Sequence, residues 1–144
     1  MSHPLTQAVR SFAFGLPGAY EDHPWGESVA KAGGKVFVFF GMPDQERLSF
    51  TVKLPESSDD ALALRFTRLP GYGLERGRWV SVVEAPHDVP LDLLLGWIEE
   101  SYRAVAPKRL IAELDARRPD RWRAGLEPMG AARRPRQQRT RPRS

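Results

Sequence analysis

Residues 35–54 read KVFVFFGMPDQERLSFTVKL, and their pattern decides the fold. In the second half, Leu48, Phe50, Val52 and Leu54 fall on one face and Ser49, Thr51 and Lys53 on the other, the two-residue period of a half-buried strand. The first half, Val36 to Phe40, is apolar at every position and entirely β-branched or aromatic, which predicts a central strand covered on both sides. Gly41-Met42-Pro43-Asp44 supplies residues suited to a tight turn between the two strands. The remaining chain has to cover this hairpin, and the result is an α+β domain.

Upstream, Leu5, Val9 and Phe12 recur at helical spacing, and Gly15 followed by Pro17 ends that helix. The segment from Leu16 to Gly26 holds two prolines and two glycines; it reads as irregular, with Tyr20 and Trp25 plugging the edge of the core. Ser28 to Ala32 is a weak strand, turned by Gly33-Gly34 to pair antiparallel with Lys35 to Phe40. Downstream, acids at 59 and 60 suit the positive end of a second helix, whose stripe is Leu62, Phe66 and Leu69 and whose stop is Pro70-Gly71. A glycine-rich loop over 71–78 leads to a strand from Trp79 to Val83. A third helix carries Leu91, Leu94, Leu95, Ile98, Tyr102 and Val105 on its apolar side, with Trp97 near the margin of that stripe. Pro107 opens a short fourth helix with Leu110, Ile111 and Leu114.

The chain of 144 residues has no cysteine, which excludes disulfides and thiolate metal sites. No basic, apolar, small-residue leader pattern opens it, and no apolar run approaches the roughly 20 residues of a membrane span, so a soluble cytoplasmic protein is expected. The net charge of +4 is uneven. Residues 116–144 hold ten arginines against Asp120 and Glu127, a net of +8, while residues 1–115 hold 12 basic and 16 acidic side chains, a net of −4. The expected organisation is therefore one mildly acidic domain over 1–115 and an arginine-rich tail over 116–144, unstructured until bound.

Leu16-Pro17-Gly18 with Glu21 and Asp22, Trp25-Gly26, Gly34-Lys35-Val36-Phe37, Leu48 to Lys53, Pro70-Gly71-Tyr72, Trp79-Val80, and Ser101-Tyr102 with Val105 stand in a consistent order and spacing. As a set, over roughly residues 5 to 115, they resemble the MmcQ/YjbR family, small bacterial domains described as DNA-binding. The resemblance implies a two-layer α+β fold of the frataxin (CyaY-like) class, an antiparallel sheet with helices packed on one face, in a winged arrangement called a double wing. The arginine tail past Asp115 and the sequence Ala106-Pro107-Lys108 depart from that pattern.

Nucleic-acid binding needs cations where phosphates run. Lys31 and Lys35 flank one turn, Lys53 projects from the polar face of the central strand, and Arg76 and Arg78 sit before Trp79; the tail adds Arg133, Arg134 and Arg136. The competing reading is a set of ordinary solvated cations on an acidic body. Enzyme signatures are absent: Gly33-Gly34-Lys35 lacks Walker spacing, Gly71, Gly73 and Gly77 miss the dinucleotide spacing, and there is no nucleophile elbow. Glu21-Asp22-His23 offers two carboxylates and an imidazole to a cation, yet a solvated loop is the simpler reading, and no metal or cofactor is expected. Trp25 and Trp79 read as core aromatics in preference to base-stacking ones, and Ser101 as a helix-packing residue. The expectation is a monomeric, non-enzymatic protein with weak, sequence-tolerant DNA binding. The alternative is a protein-interaction or small-ligand/metal-binding module on a frataxin-like scaffold.

Overall fold

The computed structural model describes residues 3–41, 46–71 and 73–117. Their order is α1 (Thr6–Gly15), β1 (Tyr20–Asp22), β2 (Ser28–Ala32), β3 (Lys35–Gly41), β4 (Phe50–Lys53), α2 (Ser58–Leu62), β5 (Thr67–Arg68), a 3-10 turn (Leu74–Gly77), β6 (Trp79–Val82), α3 (Leu91–Val105) and α4 (Lys108–Arg117). The chain divides into two compact units, residues 1–111 and 112–144. The sheet and α1 to α3 belong to the first. Among the described residues, the second contributes the end of α4, where Arg117 pairs with Glu113 at 3.3 Å. Residues 118–144, and with them Arg133, Arg134 and Arg136, lie outside the described residues.

All six strands form one antiparallel sheet in the order β1-β2-β3-β4-β6-β5. The alternation in β4 holds: Leu48, Phe50, Val52 and Leu54 are all buried. The strand itself starts at Phe50, so the link from β3 runs over residues 42–49 and is longer than the expected tight turn. The apolar run of β3 has a different cause from burial on both faces. Lys31 faces Val36 and Ala30 faces Val38, which leaves Phe37 without a partner in β2. Such a bulge breaks the alternation, and Phe37 and Val38 are both fully buried, while Val36, Phe39 and Phe40 are half-buried.

The bulge also opens the ladder on the other side of β3. Pairing with β4 covers Val38↔Val52 and Phe39↔Thr51 and stops there. At the next rung the hydroxyl of Ser101, from α3, takes the place of a direct strand-to-strand bond. It donates to the Phe37 carbonyl at 2.6 Å and accepts the Lys53 amide at 2.8 Å. Its neighbour Tyr102 packs edge-on against Phe37, ring centroids 5.3 Å apart, and donates its hydroxyl to the Pro17 carbonyl at 2.7 Å. Leu94, Trp97 and Ile98 complete the buried side of α3, so Trp97 is core and not marginal. On α1, Val9 and Ala13 are buried, and the Arg10 guanidinium lies over the rings of Phe14 and Phe40 at 5.1 and 4.8 Å.

Three local expectations are corrected. The stretch after α1 is not wholly irregular, because Tyr20–Asp22 finds the open edge of β2 and becomes β1. The second helix stops at Leu62: the Thr67 hydroxyl donates to the carbonyls of Ala61 and Leu64, and Thr67–Arg68 pairs with β6 as an edge strand. The loop before β6 contains the 3-10 turn. At the start of α2, Glu100 of α3 accepts the amides of Glu56 and Ser57 at 2.8 and 3.0 Å, a cap supplied from another helix. His3 is buried: it accepts the Leu5 amide at Nδ1, which leaves Nε2–H to donate to Ala85 at 2.8 Å.

Candidate nucleic-acid interface

Antiparallel neighbours place the end of one strand beside the start of the next. β2 ends at Ala32, β3 starts at Lys35, β4 ends at Lys53 and β6 starts at Trp79. Lys31, Lys35, Lys53, Arg76 and Arg78, scattered over nearly fifty positions of sequence, therefore come to one end of the sheet. The turn geometry there demands glycine. Gly33 sits at φ +62°, and a side chain on it would overlap the Pro107 ring. At Gly77 a Cβ would meet Lys53 Nζ at 2.8 Å and the Trp79 ring at 2.9 Å.

The five cations are held differently. Lys53 donates to the Gly77 carbonyl at 2.7 Å and lies 5.7 Å from the centroid of the Trp79 ring. Lys31 pairs with Asp22 at 2.8 Å across β1 and β2; that bond holds the Asp22 carboxyl below its ordinary range and pushes the Lys31 ammonium up. Arg78, at φ 62°, approaches Asp59 at 3.7 Å, both side chains being well exposed. Lys35 and Arg76 are exposed and form no ion pair among the described residues. Sequence reasoning missed Arg68, exposed on β5 and paired in register with Ser81. Its signal was hidden by the assignment of that segment to a helix.

Glu21, Asp22 and His23 do not form a ligand set. Strand alternation sends the two carboxylates to opposite faces of β1: Glu21 accepts from Ser28 at 2.6 Å and Arg10 at 2.7 Å, whereas Asp22 turns to Lys31. His23 Nε2 stands 3.1 Å from Glu21. Among the described residues no group of three or more His, Cys, Asp or Glu could hold a metal ion. The Ser28 hydroxyl, and after it Arg10, keep the Glu21 carboxyl below its ordinary range against the opposing pull of burial. Trp25 is not core: it is 84% exposed at the β1–β2 connection, and Tyr20 is 45% exposed. Trp79 is half-buried against Phe39, ring centroids 5.3 Å apart. A cavity of about 450 Å³ lies along α3, lined by Glu56, Glu99, Glu100 and Arg103 among others. Its carboxylates make it a poor seat for phosphate. No helix among the described residues is long and apolar enough to cross a membrane.

No curated protein matches this chain. A crystal structure of the Deinococcus radiodurans protein DR2400, described as a DUF419 domain, superposes with a TM-score of 0.60 at 25% sequence identity, over 75% of this chain and 86% of that one. The family model named YjbR matches residues 14–104, a span that takes in all six strands and nearly the whole of α3. The chain therefore belongs to the YjbR family.

Proposed function

We propose that this protein is a monomeric, non-enzymatic DNA-binding protein of the YjbR type, holding nucleic acid weakly and with little regard to sequence. The observation that carries the reading is the convergence of Lys31, Lys35, Lys53, Arg76 and Arg78 on one end of the sheet. Cations gathered at strand ends and turns meet a phosphate backbone and leave base edges unread. Partial neutralisation by Asp22 and Asp59 fits weak binding. The arginines at 133, 134 and 136 add a second, sequence-independent electrostatic contribution.

Fluorescence anisotropy of the full chain on random duplex and single-stranded DNA, over a salt series, tests this. The triple variant Lys35→Glu, Arg76→Glu, Arg78→Glu should bind more weakly, with a log–log salt slope shallower by about one for each phosphate it no longer neutralises. A second variant, with Arg133, Arg134 and Arg136 changed to Ser, measures the tail's share. If the first variant binds like wild type, the sheet end has no part in recognition; if wild type binds neither DNA at low salt, the reading falls altogether.

A further inference from the structure

We infer that the sheet face opposite α1 and α3 is a stacking platform for single-stranded nucleic acid; the inference rests on the DNA-binding reading and names the strand type and the surface. α3 packs on β3 and β4, with Tyr102 and Ser101 against Phe37, and Val38 and Val52 are fully buried. The other face is read directly from the register. One row runs Arg68–Ser81–Thr51–Phe39–Val29–Asp22, each residue the direct partner of the next, across all six strands. The adjoining row, toward the cationic end, holds Tyr20 opposite Lys31, Lys31 opposite Val36, and Lys53 opposite Trp79.

Three aromatics and three cations thus share one face, Tyr20, Phe39 and Trp79 with Lys31, Lys53 and Arg68, set around Val29, which is itself buried. Asp22 is the single carboxylate in these two rows, whereas residues 1–115 as a whole carry a net charge of −4. These two rows therefore carry three cations against one carboxylate on an acidic body, which argues for an anionic occupant. Its aromatics specify that occupant further. Tyr20 is 45% exposed, and Phe39 and Trp79 are half-buried. Bases stack on such rings only when unpaired, and cations between rings follow the strand's phosphates. In a duplex the bases are stacked on one another, so the rings gain nothing. Thr51 and Ser81, joined hydroxyl to hydroxyl at 2.7 Å in the middle of the row, keep its centre polar and flat.

The test is a direct comparison on the full chain at one low salt concentration, using fluorescein-labelled oligo-dT and a random duplex of equal length. Wild type should prefer oligo-dT. Tyr20→Ala, at an exposed position, should weaken oligo-dT binding about five-fold or more and leave duplex binding unchanged. Trp79→Phe keeps the packing against Phe39 and should weaken it less. Asp22→Asn, which releases Lys31, should strengthen binding to both. Arg103→Glu, exposed on α3 across the sheet from this face, is the control for general charge, and thermal melts of each variant establish folding. Equal or tighter binding to duplex, or an unchanged Tyr20→Ala, overturns the platform and leaves the electrostatic reading standing. No binding to either probe overturns both.

Discussion

Ser101 carries more of this fold than its size suggests. Its hydroxyl stands where a rung between β3 and β4 is missing, bonded to the Phe37 carbonyl and the Lys53 amide, and it is fully buried. Ser101→Ala strands both groups away from water, so a destabilisation of about 2 kcal/mol is expected, seen as a melting temperature several degrees lower. A melt matching wild type would mean that the ladder closes without the hydroxyl. The requirement for a bond was readable in advance, because a serine beside Tyr102 on a buried helix face needs a partner. The partner's identity was not, since the bulge at Phe37 that frees the carbonyl depends on how β2 and β3 register. Glu21 gives a second residue-level expectation. Its folded carboxyl is held low by Ser28 and Arg10. The stabilisation is therefore complete above the ordinary Glu range and disappears as pH falls through the lower folded value. Melting temperatures from about pH 6 down to about pH 3 should fall less steeply for Glu21→Gln than for wild type; parallel curves would mean that the Arg10–Ser28–Glu21 cluster contributes no linkage.

At the scale of elements, the strands with clean alternation were legible and those created by a neighbour's edge were not. β4 followed its pattern, because its alternation and its burial have the same cause. β1 and β5 are three and two residues long and exist only because β2 and β6 offer them an edge. The stripe Leu62, Phe66, Leu69 looked helical, yet Thr67 closes α2 from below and Leu69 is left 55% exposed. Leu69→Lys should accordingly leave stability within about 0.5 kcal/mol of wild type in urea unfolding. A destabilisation of about 2 kcal/mol, the size expected for a buried helical leucine, would restore the longer helix. The charged, very short outer strands also limit edge-to-edge pairing between copies, which agrees with the monomer proposed above.

For the whole molecule, charge and topology decide together what neither decides alone. The sequence separates an acidic body from an arginine-rich end, but no linear reading puts Lys31, Lys53 and Arg68 on one face, because that depends on the strand order β1-β2-β3-β4-β6-β5. The aromatics were misassigned for the same reason. Trp25 and Trp79 look alike as tryptophans near glycines, and only the sheet separates a half-buried ring beside Lys53 from one standing clear of the protein. That separation makes the three described tryptophans distinct optical reporters. Trp97, at 5% exposure, emits from an apolar surround and should shift to longer wavelength when the fold opens. Trp25 emits from water before and after unfolding, and soluble quenchers should reach it in the native state. Total emission consequently dilutes the folding signal with light from a residue that does not sense it, and a background with Trp25→Phe and Trp122→Phe would leave Trp97 to report on the core and Trp79 on an occupant of the sheet face.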